Sequence, residues 1–280
     1  MSDVGVLEQL RAALTGRYAV ERELERGGMA IVFLAQDVRH KRPVAIKVLM
    51  PDIGRLVGSE RFLREIEIAA RLTHPHILPV FDSGDAGGLL YYVMPYVRGE
   101  SLRHRLERGG PLPVGDAVRI AREVADALDY AHRHGIVHRD IKPENVLLED
   151  GHAFIADFGV ARALAAGGGG PKLTEVGLAV GTPYYMSPEQ AAGEAAVDGR
   201  ADLYALGCVL YEMLAGRPVF EGTTAQALAR QHLFDTPRRL RTLRVDVPPA
   251  VERVVARALE KTPGDRWTSG AEIAAALESG

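Results

Sequence analysis

Three polar side chains of different chemistry lie within six residues of one another in the stretch VHRDIKPEN, residues 137–145. The carboxylate of Asp140 can accept a proton from a hydroxyl nucleophile. The ammonium of Lys142 can offset negative charge on a transferring phosphoryl group, and Asn145 offers a neutral oxygen to a metal ion. A loop aspartate alone is most often part of a turn or a helix cap, so the functional interpretation depends on these neighbours.

The residues after Asn145 predict a β-hairpin that returns the chain to this stretch. In NVLLEDGHAFIADFG, residues 145–159, two apolar runs flank Asp150-Gly151, and Asp-Gly is a strong signal for a tight turn between strands. Such a hairpin brings Asp157 close to Asn145. A carboxylate and a carboxamide can share a hard cation through oxygen, as Mg²⁺ requires. The sequence therefore predicts a phosphoryl-transfer site that holds a magnesium ion.

Two kinds of secondary structure must position these residues. Residues 18–94 are mostly strand-like, and one helix that Ser59 can cap interrupts the strands. Another helix is predicted at residues 6–14, and from Gly99 onward the apolar positions follow a helical period. The helices predicted there are 114–134, 199–215, 223–233, 249–260 and 270–278. A small sheet domain followed by a larger helical one predicts two lobes, with a hinge near residues 95–99.

The composition is that of an ordinary globular protein. Of the 280 residues, 47% are apolar and 25% are charged, and the net charge of -3 gives no general attraction to nucleic acid or anionic membranes. The single Cys208 excludes an intrachain disulfide and is expected in the core. The first residues lack the basic-then-apolar order of a signal peptide, and no apolar run reaches the roughly 18 residues of a membrane span. A soluble, cytoplasmic protein is expected.

The motifs HRDIKPEN, DFG and VAIKVL resemble those of the protein kinases, and the resemblance covers nearly the whole chain. They stand in the family's order: a glycine-rich loop, a strand lysine, a helix glutamate, the catalytic loop, DFG, and SPE in place of the more usual APE. GGMA and GTPYYMSPEQ are similar to the bacterial branch of eukaryotic-like serine/threonine kinases. The resemblance implies an α+β, two-lobed protein kinase-like fold. It has a small antiparallel β-sheet N-lobe with one main helix and a larger, mainly helical C-lobe.

The resemblance also implies a division of the chain and an activity. The implied segments are an N-terminal helical extension (1–17), a protein kinase domain (18–280) made of an N-lobe (18–96) and a C-lobe (97–280), and an activation segment (157–189). The expected activity is transfer of the γ-phosphate of ATP to serine or threonine hydroxyls of protein substrates, with Mg²⁺ or Mn²⁺. Bacterial relatives often dimerise through the N-lobe and many are membrane-anchored. A homodimer and a longer, membrane-anchored parent protein are therefore further expectations.

The family's roles in nucleotide binding fall on the strand-rich part of the chain. Lys47, inside the apolar strand VAIKV, is implied to hold the α- and β-phosphates and to pair with Glu65. Met94 is similar to a gatekeeper beside adenine, and Pro95 keeps the carbonyl that the adenine amino group needs. The full set implied for ATP binding is Gly27, Gly28, Val32, Ala45, Lys47, Glu65, Met94, Pro95 and Val97.

The family's roles in catalysis fall on the stretch at 137–145 and on the DFG motif. The resemblance implies Asp140 as the catalytic base, with Lys142 and Asn145 acting beside it. Asn145 and Asp157 are implied as the Mg²⁺ ligands. Thr182 is similar to the threonine that hydrogen-bonds the catalytic aspartate and lysine, and together with Lys142 it favours serine/threonine over tyrosine specificity.

Further residues are implied in regulation and in holding the site together. Arg139 needs an anionic partner if it is buried, and a phosphate on Thr174 in the activation loop would supply one. An exposed, unmodified Thr174 is the alternative. Glu189 is expected to pair with Arg266, and Asp202 is expected to anchor the backbone of the catalytic loop.

The glycine-rich loop departs from the family pattern G-x-G-x-x-G-x-V. Its four defined positions fall on Glu25, Gly27, Ala30 and Val32. Gly28 is an additional glycine at the tip. A carboxylate near a triphosphate would repel it by about 1 kcal/mol when well solvated, and Arg26 next to Glu25 could screen it. We expect an active kinase with weakened ATP affinity or altered loop dynamics; the alternative is a pseudokinase that acts as a nucleotide-binding scaffold.

Two remaining patterns have structural explanations. His132, His134 and His138 do not follow a zinc-ligand spacing, and the first two fall at a helix C-terminus, where cationic side chains are favoured. The arginine-rich stretch at 238–244 is short and has no interleaved aromatic residues, so a solvated loop is favoured over a nucleic-acid site.

Overall fold

The computed structural model describes residues 3–159 and 183–279. The predicted sites Thr174 and Thr182 therefore lie outside the described residues. The chain divides into two compact units, here called the sheet unit and the helical unit. Among the described residues, the sheet unit comprises 3–73, 78–98 and 158–159. The helical unit comprises His74–Ile77, Gly99–Asp157 and 183–279.

The sheet unit is built on five antiparallel strands in the spatial order β1-β2-β3-β5-β4. They are β1 (Tyr18–Arg26), β2 (Ala30–Asp37), β3 (Arg42–Leu49), β4 (Asp82–Asp85) and β5 (Leu90–Pro95). The helices that the structure describes in this unit are α1 (Asp3–Ala13), α2 (Pro51–Val57) and α3 (Ser59–Ala69). Within the stretch 18–94 that the sequence shows as mostly strand-like, β4 begins only at Asp82, and Pro79 before it cannot donate to a strand ladder.

Helices cover both faces of this sheet, because alternate residues of a strand point to opposite sides. On one face, α1 and the residue that follows it bury Val6, Leu10 and Leu14 against the central strands. On the other face, α2 and α3 bury Ile53, Phe62 and Ile66. The helix predicted near the N-terminus thus shares a hydrophobic core with the sheet.

The helical unit contains ten labelled elements among the described residues. Its helices are α4 (Leu102–Gly109), α5 (Val114–Arg133), α6 (Pro188–Ala191), α7 (Arg200–Ala215), α8 (Ala225–Phe234), α9 (Pro249–Ala258) and α10 (Gly270–Glu278). Its antiparallel strands are β6 (Glu100–Ser101), β7 (Val146–Glu149) and β8 (His152–Ile155). The predicted hairpin joins β7 to β8, and Asp150 and Gly151 have the positive φ angles, 50° and 83°, that a tight turn requires.

Helix α7 is the centre of the helical unit. Every residue from Ala201 to Leu214 is buried, as expected for a helix that is covered on all sides. A Cβ atom at Gly207 would lie 2.8 Å from the Ala258 side chain, so this glycine permits close approach of α9. Burial raises the pKa of Cys208, which is an unreactive core thiol on the same helix. The polar groups that α7 carries must therefore be paired inside the unit.

The expected α+β organisation is confirmed, with the small antiparallel sheet preceding the larger helical part. The short helices α2, α4 and α6 were not predicted from the sequence, because one or two turns give little periodicity. Within residues 3–159 and 183–279, no helix is long and apolar enough to cross a membrane.

Candidate active site

The backbone of the catalytic loop, residues 137–145, is held by a buried carboxylate on α7. Asp202 is 1% exposed, and it accepts the backbone N–H of His138 at 2.8 Å and that of Arg139 at 2.7 Å. One of its oxygens also lies 2.8 Å from Nε2 of His132, at the end of α5. A buried charge needs such partners. These contacts connect α5, α7 and the loop.

The buried ring of His138 joins the catalytic loop to the residue before Asp157. Its Nδ1 accepts the backbone N–H of Asp140 at 3.2 Å, so Nε2 carries the proton and donates to the carbonyl of Ala156 at 2.8 Å. On either side of this bridge, Arg139 and Asp157 have left-handed φ angles of 68° and 70°. Such strained backbone persists where surrounding contacts determine it, and it is frequent at functional sites.

Two donors converge on one carboxylate oxygen of Asp140. Lys142 Nζ donates to Oδ2 at 2.7 Å, and Asn145 Nδ2 donates to the same oxygen at 3.1 Å. Asn145 Nδ2 also donates to the backbone carbonyl of Asp140 at 2.7 Å. Among the described residues, none donates to Oδ1, and the side chain is 44% exposed. Oδ1 can therefore accept a proton from a substrate hydroxyl.

The environment of Lys142 keeps its ammonium charged. Burial disfavours the charge, but the carboxylate of Asp140, followed by those of Glu144 and Asp157, outweighs burial and raises the pKa of Lys142. Asp157 therefore acts on the same cation as Asp140. A fixed positive charge beside the proton acceptor can stabilise a phosphoryl group during transfer.

Asn145 and Asp157 lie next to each other at the base of the hairpin. The N–H of Ala156 donates to the carbonyl of Asn145 at 2.9 Å, which extends the pairing to the residue before Asp157. Because Asn145 Nδ2 is bound to Asp140, its Oδ1 is the atom that can coordinate a cation. The described residues contain no group of three or more His, Cys, Asp or Glu side chains that could hold a metal ion. One amide and one carboxylate suit Mg²⁺, which keeps several waters and binds substrate phosphates.

In the sheet unit, several residues implied in ATP binding share the face covered by α3. Ala45 and Met94 are buried on that face and are directly paired between β3 and β5. The alternation along β3 places Lys47 on the same face. Across the sheet, Lys47 is opposite Val32 on β2 and Tyr92 on β5. Pro95 ends β5, and Val97 lies in the segment that follows it.

Glu65 lies on the side of α3 that is buried. It is 9% exposed and shares that side with Phe62 and Ile66. Gly159, the last residue of the DFG motif, has a φ of 86°, and a Cβ atom there would come within 2.9 Å of the Glu65 carbonyl oxygen. The position therefore accepts only glycine without a backbone shift.

The turn between β1 and β2 carries the glycine-rich loop. The N–H of Gly27 donates to the carbonyl of Ala30 at 2.9 Å, which closes the turn, and a Cβ atom at Gly28 would meet nothing within 4 Å. Glu25 is exposed on β1 next to a shift in strand register. Arg26 donates to Glu23 at 2.9 Å, so part of the charge expected to screen Glu25 is engaged by another carboxylate.

Glu189 and Arg266 form a fully buried ion pair. Nη1 and Nη2 of Arg266 donate to the two oxygens of Glu189 at 2.8 and 2.7 Å, and Arg266 is 0% exposed. The remaining guanidinium hydrogens reach the carbonyls of Glu260, Lys261 and Arg200. Because every charge is paired and hydrogen-bonded, the desolvation penalty is offset. The pair fixes α6 against the end of α9.

The catalytic loop is also tied to α6, while the side chain of Arg139 remains incompletely paired. Gln190, in the first turn of α6, donates to the carbonyl of Arg139 at 2.9 Å. The Arg139 guanidinium donates to the carbonyl of Val197 at 3.4 Å, and its Nε is buried with no hydrogen-bond partner among the described residues. An unpaired buried guanidinium nitrogen is costly, so this group is suited to an additional anionic partner.

Sequence reasoning missed the contributions of His132 and Gln190. His132 was explained as a cation at a helix end, whereas its ring binds Asp202. A signal was present, because His132 lies four residues after the buried Leu128 on the same face of α5. For Gln190 the signal was weaker: SPEQ predicts a capped helix start, but its bond to the catalytic loop joins residues that are distant in the sequence.

A family model described as "Protein kinase domain" matches residues 18–278. The serine/threonine-protein kinase PknB of Mycolicibacterium smegmatis is 43% identical over 270 residues, which cover 94% of this chain and 43% of that protein. The serine/threonine-protein kinase PknD of Mycobacterium tuberculosis is 43% identical over 266 residues, or 93% of this chain and 39% of that protein. A probable serine/threonine-protein kinase of Streptomyces coelicolor, SCO3848, is 42% identical over 272 residues, covering 95% of this chain and 40% of that protein. The chain spans about two fifths of the length of these relatives.

Proposed function

This chain belongs to the protein kinase family, and on that basis we propose that it transfers the γ-phosphate of ATP to serine and threonine hydroxyls of protein substrates. The resemblance to bacterial serine/threonine kinases stated from its motifs is confirmed by the identity to PknB and PknD. Those two proteins are named serine/threonine-protein kinases. For this chain, the protein substrates and the choice of acceptor residue are part of the proposal.

The proposal depends on the different environments of the two carboxylate oxygens of Asp140. Oδ2 is held by Lys142 and Asn145, and Oδ1 can accept the proton of a substrate hydroxyl. The hydroxyl oxygen forms a bond to the γ-phosphorus as the bond from that phosphorus to the bridging β–γ oxygen breaks. The products are a phosphorylated side chain and ADP. Lys142 offsets the charge of the transferring group.

We propose Asn145 and Asp157 as the residues that hold Mg²⁺, with Mn²⁺ as a substitute. The metal supplies charge neutralisation at the ATP phosphates when it is bound. Lys47 would hold the α- and β-phosphates, and Glu65 would pair with Lys47 and fix its direction. Their placement on one buried side of the sheet unit supports this assignment. The remaining contacts proposed for ATP are Gly27, Gly28, Val32, Ala45, Met94, Pro95 and Val97.

We further propose that the chain phosphorylates its own activation loop at Thr174. The support is the incompletely paired guanidinium of Arg139, since a phosphothreonine brings about -1.5 to -2 charges and three acceptor oxygens. Thr182 would bind Asp140 and Lys142 in the same region. In Thr174→Ala we expect slower turnover of a protein substrate. Equal turnover of the two forms would remove the support for this site.

The domain bounds, the cellular location and the oligomeric state that we propose are those implied by the resemblance to bacterial kinases. We propose a kinase domain at 18–280 with an N-lobe at 18–96, a C-lobe at 97–280 and an activation segment at 157–189. It would act in the cytoplasm, where ATP is available, by itself or within a longer membrane-anchored protein. A homodimer through the sheet unit would use helices or strand edges, because α1 covers one sheet face and α2 and α3 cover the other. Sedimentation at several concentrations tests this dimer.

The activity is tested by incubation with Mg-ATP beside an Asp140→Asn control, followed by intact-mass and phosphopeptide analysis. Phosphate in the wild-type chain alone, on itself or on an added protein, supports a serine/threonine kinase. Absence of phosphate in both chains, with Mn²⁺ as well, contradicts it. The pseudokinase alternative depended on Glu25, and no observation in the structure or the relatives favours it.

A further inference from the structure

Arg103, on α4, binds groups from three other parts of the helical unit. Its Nε donates to Glu144 in the catalytic loop at 2.9 Å, and its Nη1 donates to Glu212 on α7 at 2.8 Å. Its Nη2 donates to the hydroxyl of Tyr185, just before α6. Each nitrogen of the planar fork thus has a separate partner, an arrangement that the single ammonium of lysine cannot reproduce.

Three of these groups form a closed ring. The hydroxyl of Tyr185 donates to the second oxygen of Glu212, whose first oxygen is bound to Arg103. The side chain of Glu212 is 6% exposed, so the ring neutralises a carboxylate within the core around α7. Burial and the charge of Glu212 raise the pKa of Tyr185, so its hydroxyl stays protonated as a donor. Burial opposes the charge of Arg103, but the bond to Glu212 outweighs it and raises the pKa of Arg103.

The fourth group, Glu144, brings this ring next to the candidate catalytic residues. Glu144 is the middle residue of the single 3₁₀ turn Pro143–Asn145, so it directly precedes Asn145. The second carboxylate oxygen of Glu144 is buried and has no hydrogen-bond partner in the described part of the chain. Arg103 is therefore the group that holds this carboxylate. One guanidinium restrains both the turn that carries Asn145 and the segment that enters α6.

We propose that Arg103 is a positioning residue for phosphoryl transfer to protein substrates. It fixes the position of the turn that carries Asn145 relative to the segment that carries Tyr185. An acceptor hydroxyl then reaches Asp140 in a productive geometry. Misplacement by about 1 Å can cost about 100-fold in rate. The ring restrains Asn145 only through the backbone of its turn, and the Asn145 side chain has its own bonds to Asp140. Arg103 therefore acts on the protein acceptor more than on ATP. The inference rests on the proposed kinase function.

The test measures steady-state kinetics of Arg103→Met with casein as the acceptor, varying casein and ATP separately. We expect the KM for casein to rise and kcat to fall, with kcat/KM for casein about 10-fold lower or more. The KM for ATP should change less than the KM for casein, because the Asn145 side chain keeps its own bonds to Asp140. Arg108→Met is the matched control, since Arg108 lies on the same helix, is exposed and pairs only with Glu100 among the described residues.

Two further variants separate positioning from a merely structural role. Tyr185→Phe removes one member of the ring, and its effect on the KM for casein should not add to that of Arg103→Met. Arg103→Lys should give an intermediate KM, because it keeps the charge and loses the fork. A lower kcat with both KM values unchanged would indicate loss of folded enzyme and would overturn the inference.

The outcome for the wild-type chain distinguishes the two proposals. If wild type phosphorylates casein and Asp140→Asn does not, the proposed function stands, and the Arg103 variants alone decide the inference. If wild type phosphorylates neither casein nor itself, the proposed function fails and the positioning role fails with it.

Discussion

Lys142 donates to Oδ2 of Asp140 at 2.7 Å, while Oδ1 of the same carboxylate accepts no hydrogen bond from the described residues. The two oxygens of Asp140 therefore differ in environment. Oδ2 is oriented by the half-buried ammonium of Lys142, and Oδ1 belongs to a side chain that is 44% exposed, so a hydroxyl can approach it. This asymmetry makes Lys142 more than a counter-charge, because it also fixes the direction of the proton acceptor.

In Lys142→Met we expect kcat for casein to fall by about 100-fold or more, since both the orientation of Asp140 and the charge opposite the phosphoryl group are lost. The KM for ATP should change less than kcat. Stopped or continuous assays of ADP release measure both quantities. A kcat within a few-fold of wild type would show that Asn145 alone orients Asp140.

Asp202→Asn tests the anchor of the catalytic loop. The amide can accept one of the two backbone N–H groups, of His138 and Arg139, that now bind a carboxylate. An unpaired buried N–H costs about 1–3 kcal/mol, so the free energy of unfolding should fall by that amount, together with kcat. Asp198→Asn is the control, because Asp198 is exposed and forms a surface pair with Arg200. Denaturant unfolding and turnover that match wild type would contradict the anchoring role.

Arg266→Met should lower the free energy of unfolding by about 3–5 kcal/mol, because the carboxylate of Glu189 remains buried without its partner. Burial opposes ionisation of Glu189, but the hydrogen bonds from Arg266 outweigh it and lower its pKa from the ordinary 4.5. A lowered pKa in the folded state gives stability that is complete above pH 4.5 and is lost as the pH falls through the folded pKa. The difference in stability between wild type and Glu189→Gln should therefore shrink on acidification, and a constant difference from pH 7 to 3 would count against the pair.

Leu10→Ala should destabilise the sheet unit by about 2–5 kcal/mol, the usual cost of removing a buried leucine side chain. Leu10 is 0% exposed and packs against the sheet from α1. Glu8→Ala, on the exposed side of the same helix, is the control and should change stability by less than about 0.5 kcal/mol. Equal unfolding midpoints in guanidinium chloride for the two variants would show that α1 contributes little to the core.

Glu25→Gly should tighten ATP binding by about fivefold, which corresponds to about 1 kcal/mol of removed repulsion. The exposed position of Glu25 limits the effect to that of a solvated charge. Titration with a fluorescent ATP analogue measures it, and the difference should decrease at high ionic strength. An unchanged affinity at low salt would show that this carboxylate does not affect the triphosphate.

The features that could be predicted from the sequence are those encoded locally. The Asp-Gly turn, the spacing of Asp140, Lys142 and Asn145, and the approach of Asp157 all depend on residues less than about 20 positions apart, where periodicity and turn chemistry apply. Lys47 lies inside an apolar strand, and a charged side chain in such a strand needs a polar or charged partner in any fold.

The features that could not be predicted connect residues that are distant in the chain. Arg103 and Glu212 are 109 positions apart, and no local pattern marks them as partners. Glu212 lies in the mostly apolar α7 and is buried because this helix is covered on all sides. Its burial depends on tertiary packing. His132 lies between these cases, because its spacing of four from Leu128 was an unused signal for the buried face of α5, whereas no local pattern indicates Asp202 as its partner.

The sheet unit meets its surroundings through α1 on one side, and α1 lies before residue 18, where the match to the family begins. Part of the hydrophobic core of the sheet is therefore supplied by residues that precede the family match, because Val6, Leu10 and Leu14 cover one face of it. Removal of residues 3–17 would expose that apolar face to water.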